Sequence, residues 1–146
     1  MNDFEKDSPY RRNKEEYVVH SDFFDRSDNL VTVYKRKGTD LILFLKEINL
    51  RNSYDEDRFK NEVKTLICMR LDGFPFIKID GFGIQNSNAF IAVEYIEGGS
   101  LQSFLFDDDS DDEMKLDNSM KMKILYGTAY GLNYLHSKGF VHRDIK

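Results

Sequence analysis

The sequence predicts an α+β fold: a five-stranded antiparallel sheet carrying one helix, then a joint and the first helices of a second, helical part. Three observations predict it. Short β-branched and aromatic runs recur from Tyr17 onward, separated by polar or glycine-bearing turns. One stretch of helical spacing, from Ser53 to about Arg70, interrupts them. After Glu97-Gly98-Gly99-Ser100 the strand pattern stops and helical spacing takes over.

Residues 1–16 are polar and charged, have no face to bury, and read as a flexible leader. Tyr17 to Phe24 predicts a strand with Tyr17, Val19 and Phe23 on one face. Asp25 to Asn29 is a polar turn, and Leu30 to Tyr34 a second strand. Gly38 in Lys37-Gly38-Thr39-Asp40 suits a hairpin reversal. Leu41 to Ile48 is apolar at nearly every position, which predicts a central strand covered on both faces. Ser53 and Glu56 have the spacing of a capping box, and Phe59, Val63, Leu66 and Ile67 mark the buried side of the helix that follows. Asp72-Gly73-Phe74-Pro75 ends it. Two more strands, Phe76 to Ile84 and Ala89 to Tyr95, flank the turn Gln85-Asn86-Ser87-Asn88. Beyond the glycine joint come a short helical piece, Leu101 to Leu105, and an acidic solvated loop, residues 107–113. A last helix spans about Asn118 to Ser137, with Ile124, Leu132 and Leu135 on its apolar side.

A chain of 146 residues suffices for one domain with a real core. Its net charge of −5 argues against a nucleic-acid partner. Cys68 is the single cysteine, so no intrachain disulfide is available and a reducing compartment is expected. The start has no apolar secretory core, and no apolar run reaches bilayer length. The expectation is a soluble protein of the cytoplasm, with the nucleus as the alternative, and no membrane partner.

Some residues carry chemistry. Lys46 closes an apolar strand, where a lysine must snorkel or find a partner. Glu62 stands between Phe59 and Leu66 on the inward side of the helix and is a candidate partner; a surface pair with Arg58, four residues earlier, is the alternative. His142-Arg143-Asp144-Ile145-Lys146 puts charged and titratable groups directly after the last helix. Asp144 there is a candidate catalytic carboxylate or, more plainly, a turn residue beside Arg143.

The order of elements, together with Glu94-Tyr95-Ile96-Glu97-Gly98-Gly99-Ser100-Leu101 and Leu135-His136-Ser137-Lys138-Gly139-Phe140-Val141-His142-Arg143-Asp144-Ile145-Lys146, resembles a eukaryotic protein kinase catalytic domain of Ser/Thr type. The resemblance makes residues 17–95 the small lobe and residues 96–146 the hinge and the truncated start of the large lobe. It implies ATP and Mg²⁺ as cofactors and transfer of the γ-phosphoryl group to a protein substrate. It assigns Asp144 to the substrate hydroxyl, Lys146 to the transferring phosphate, and the pair Lys46–Glu62 to the α- and β-phosphates. Val33, Phe44 and Val93 fall at the adenine site, with Glu94, Tyr95 and Ile96 at the hinge. Leu66, Ile79 and His142 match an internal column of packing residues.

The sequence departs from the family pattern at three places. The glycine-rich motif aligns with Arg26, Asp28, Val31 and Val33, and only Val33 matches; glycine lets backbone amides approach phosphates. Phe44 stands where a small alanine is usual, and fills volume that adenine needs unless the register slips by one residue. The catalytic-loop Asn and the Asp-Phe-Gly that bind Mg²⁺ would lie beyond Lys146. From this follows the expectation that the chain has no protein ligands for Mg²⁺ and is not active alone. An interaction module with weak or no ATP binding is the alternative. The apolar side of the last helix would then face water and drive self-association.

Overall fold

Alternating apolar residues fold into five antiparallel strands: β1 (Tyr17–Phe24), β2 (Leu30–Arg36), β3 (Ile42–Asn49), β4 (Ile79–Gln85) and β5 (Asn88–Glu94). Their spatial order is β1-β2-β3-β5-β4. A computed structural model describes residues 7–24, 30–71, 76–97, 101, 116–143 and 145. The chain divides into two units, Met1–Glu97 and Gly98–Lys146. The β2–β3 hairpin turns at Gly38, at φ +74°, and the β4–β5 hairpin at Asn86, at φ +58°. Glycine and asparagine are the residues that accept this left-handed conformation at least cost.

Helix α1 (Ser53–Leu71) packs Phe59, Val63 and Ile67 onto Ile79, Phe82, Ala89, Ile91 and Val93. Met69, absent from the predicted face, is buried too. The cap lies one residue earlier than expected. The Asp55 amide donates to Asn52 Oδ1 at 3.0 Å, and Asp55 Oδ2 accepts from the Arg51 amide at 3.1 Å. Asn caps as well as Ser, and the Asp55 carboxylate gains from the positive end of the helix. The opposite face of the sheet holds a second cluster of Tyr17, Leu43, Leu45, Phe90 and Ala92.

Three expectations need correction here. β3 is central as predicted, but it is covered on one face only: Leu43 and Leu45 are buried, whereas Phe44 and Lys46 are exposed. In β1 the register shifts between Val19 and Ser21, a bulge that offsets the alternation of faces for the residues after it, so the strand does not keep Phe23 in step with Tyr17 and Val19; of these last two, Tyr17 is buried and Val19 exposed. The leader is fixed from Ser8 to Glu16. It pairs with the outer edge of β4 through a parallel bridge, Arg11 to Phe82, and passes through a 3-10 turn at Lys14–Glu16 into β1. An edge strand offers unpaired amides and carbonyls, and a polar segment can satisfy them without any apolar pattern of its own. Where the segment joins β1, the Tyr17 hydroxyl donates to Asp80 at 3.0 Å. Burial, then the Asp80 charge and hydrogen bond, push this hydroxyl well above the usual tyrosine range.

In the second unit, helix α2 (Asn118–Ser137) has the predicted bounds. Asp117 caps it by accepting from the Met120 amide at 2.6 Å, and Gly139, at φ +78°, ends it. Leu135 is buried and Ile124 and Leu132 are half-buried, while Met122, Leu125 and Tyr126 are exposed. Except for Leu101, the expected helical piece and the acidic loop 107–113 lie outside the described residues. Among the described residues, no helix is long and apolar enough to cross a membrane.

Candidate functional site

The candidate site on the first unit begins with the alternation of β3. Phe44 and Lys46, two residues apart, project from the same face of the sheet. The register removes the one-residue slip: Phe44 stands opposite Val93 on β5 and opposite Val33 on β2, and Lys46 stands opposite Ile91. Val33, Phe44 and Val93 therefore form one row across three strands. Val33 and Val93 are almost fully buried, and Phe44 is 40% exposed between them.

Glu62 reaches this row from α1. Phe59 and Val63 fix that helix on the sheet, and their spacing turns Glu62 toward β3. Lys46 Nζ donates to Glu62 Oε1 at 2.7 Å and Oε2 at 2.8 Å. Arg58, the alternative partner, instead lies over the Tyr54 ring at 5.8 Å. Both members of the Lys46–Glu62 pair keep substantial exposure, so its net contribution to stability is only about 0–1 kcal/mol. Its effect is geometric: it holds an ammonium group at a fixed place on the sheet face.

The row ends at Glu94, Tyr95 and Ile96. The Glu94 amide donates to the Lys78 carbonyl at 2.9 Å and the Tyr95 amide to the Ile42 carbonyl at 3.2 Å. The Glu94 carboxylate accepts from the Lys78 amide at 2.9 Å, which fixes where β5 stops. Ile96 is exposed. A cavity of about 340 Å³, unanticipated from the sequence, lies beside the Lys46–Glu62 pair on the α1 side. Ile48 and Phe59 line it with the charged Arg51, Asp55 and Arg58. No periodic signal marks such a cleft, because it lies between the end of a strand and the start of a helix.

Asp144 and Lys146 lie outside the described residues, as do Arg26 and Asp28. Arg143, just before Asp144, has φ +63°, a backbone conformation that costs a non-glycine residue about 1–2 kcal/mol. Leu66 packs against the cluster that contains Ile79, and His142 belongs to the second unit. Among the described residues, no three of His, Cys, Asp or Glu converge to hold a metal ion.

A family model described as protein tyrosine and serine/threonine kinase matches residues 29–146. The chain belongs to the protein kinase family. Among its relatives in Arabidopsis thaliana, MDIS1-interacting receptor like kinase 2 is 34% identical over 122 residues, covering 77% of this chain and 11% of the relative. Receptor-like kinase LIP2 is 31% identical over 119 residues, covering 78% of this chain and 21% of the relative. A G-type lectin S-receptor-like serine/threonine-protein kinase is 31% identical over 118 residues, covering 78% and 13%. The chain thus spans about a tenth to a fifth of the length of these relatives. The kinase match begins at residue 29, so β1 and the segment docked on β4 precede it.

Proposed function

We propose that this kinase domain takes ATP on the α1-facing side of its sheet and serves γ-phosphoryl transfer to serine or threonine hydroxyls of a protein. The doubly hydrogen-bonded Lys46–Glu62 pair carries this reading. A fixed ammonium group beside an apolar row suits a ligand with a flat base at one end and phosphates at the other. Lys46 binds the α- and β-phosphates, and Glu62 keeps it from turning into solvent. The base lies along the row of Val33 and Val93, part of which Phe44 fills. Because the Glu94 and Tyr95 amides are used within the lobe, the base is met by the backbone carbonyls of this segment and by the amide of Ile96.

In the transfer, the bond from the γ-phosphorus to the β,γ-bridging oxygen breaks and a bond to the substrate hydroxyl oxygen forms. Asp144 orients that hydroxyl and receives its proton, and Lys146 offsets charge on the moving phosphoryl group. Mg²⁺, when bound with ATP in this family, neutralises phosphate charge. The preference for serine or threonine is supported by Lys146 and by the similarity to a G-type lectin S-receptor-like serine/threonine-protein kinase. A cytoplasmic setting goes with this reading, since it supplies ATP and keeps the exposed Cys68 reduced.

One observation favours a second reading. Phe44 fills part of the row, which suits an interaction module that holds nucleotide weakly or not at all. Thermal melting of the chain in increasing Mg-ATP separates the two. The kinase reading gives a saturable rise in Tm that Lys46→Ala abolishes; ligand at a hundred times its Kd adds about 2.7 kcal/mol. An unmoved Tm in millimolar Mg-ATP would leave the second reading standing.

A further inference from the structure

We propose that the segment Ser8–Tyr17 is a positioning strap that sets α1 and, through α1, the Lys46–Glu62 pair. The strap is seated on the edge of β4 through an isolated parallel bridge. The Arg12 amide donates to the Phe82 carbonyl at 2.9 Å, and the Phe82 amide donates to the Tyr10 carbonyl at 2.9 Å. Two glycines of β4 make room for it. A Cβ on Gly83 would stand 2.5 Å from the Arg12 carbonyl, and one on Gly81 would meet the Arg12 side chain and stand 2.6 Å from the Tyr17 hydroxyl. The far end of the strap is fastened at Asp80, which also accepts from Arg36 at 2.9 Å.

The strap also touches the end of α1. Tyr10 packs against the cluster formed by α1 and the sheet. The Arg70 guanidinium lies 5.5 Å over the Tyr10 ring, and Arg70 Nη1 donates to the Ile79 carbonyl. Tyr10 and Arg70 thus clamp the last turn of α1 to the start of β4, the strand that its backbone approaches most closely. Glu62 lies eight residues before Arg70 on the same helix, about 12 Å away along the axis. A continuous helix carries a shift at one end to the other. Phe59 and Val63 seat the middle of α1, the exposed Lys46–Glu62 pair adds little, and the Tyr10–Arg70 contact sets the end of the helix. Tyr10 and Arg70 are therefore positioning residues for Lys46, and the strap precedes the span matched by the family model.

The effect on Lys46 follows from the clamp alone; any effect on nucleotide rests on the proposed ATP site. The test uses the whole 146-residue chain. Lys46 acylation by a small amine-reactive reagent is followed by mass spectrometry, and hydrogen exchange is followed across α1. Tyr10→Ala is expected to raise Lys46 acylation about threefold to tenfold and to speed exchange in α1, consistent with losing a cation–π contact and its packing. Tyr10→Phe, which keeps the ring under Arg70, restores both. Tyr34→Ala loosens the opposite core cluster and leaves Lys46 unchanged. The inference is overturned if Tyr10→Ala leaves either readout unchanged, or if Tyr34→Ala raises acylation equally. If the acylation pattern holds while neither wild type nor variant binds Mg-ATP, the strap stands and the ATP site fails.

Discussion

Replacing Phe44 by alanine should move stability and nucleotide affinity in opposite directions. Phe44 is 40% exposed, so roughly six-tenths of a side chain that buries about 150–250 Å² is covered. At about 25 cal/mol per Å², the covered 100–150 Å² corresponds to roughly 3 kcal/mol. That is an upper bound, because the unfolded chain already buries part of this area and alanine keeps some contact with Val33 and Val93. The expected loss is about 2 kcal/mol, read by urea denaturation. Each kcal/mol lowers Tm by about 4–8 °C in a lobe of this size. The same change clears the row on which the base is to lie. Mg-ATP affinity by calorimetric titration should therefore rise about tenfold or more, equivalent to about 1.4 kcal/mol. An affinity that falls along with stability would make Phe44 part of the floor beneath the base and refute the reasoning.

Two further outcomes test the fold that positions the site. Asn52→Ala should cost about 1 kcal/mol through loss of the α1 cap, whereas Ser53→Ala should be close to neutral in the same urea melts; equal costs would return the cap to Ser53. The raised Tyr17 gives an alkaline signature. Its stabilising contribution is complete below the ordinary tyrosine value of about 10 and is lost as pH climbs beyond it, because the unfolded chain then gives up the proton more readily than the folded one. Tyr17→Phe should lower stability at neutral pH by about 1–2 kcal/mol and remove that part of the alkaline loss, seen as a wild-type-minus-variant difference that shrinks above pH ~10.

The period of apolar residues made most of the architecture legible. Phe59, Val63 and Ile67 at helical spacing fixed the buried side of α1, and helical spacing through Ile124, Leu132 and Leu135 gave the span of α2. The Lys46–Glu62 contact was legible because a lysine at the end of a strand and an inward glutamate each needed a partner. The strap was not. Its anchors are backbone amides and two glycines about seventy residues away, and neither leaves a pattern in residues 8–16. The continuous apolar run in β3 was misread because burial on both faces and an apolar row open on one face have the same composition. The α1 cap fell to Asn52 and not to Ser53 because the Asp55 amide meets Asn52 Oδ1, which the spacing of Ser53 and Glu56 did not reveal. The roles of Asp144 and Lys146 rest on the motif they complete.

The central claim is that Lys46, held by Glu62, faces the phosphates of a bound nucleotide. Its most direct test follows the Lys46 side-chain ammonium signal by NMR in chain labelled with ¹⁵N-lysine, assigned by its disappearance in Lys46→Arg. Mg-ATP should shift that signal saturably, and Glu62→Gln should weaken the response. A Lys46 signal that stays in place while millimolar Mg-ATP is added would contradict the claim.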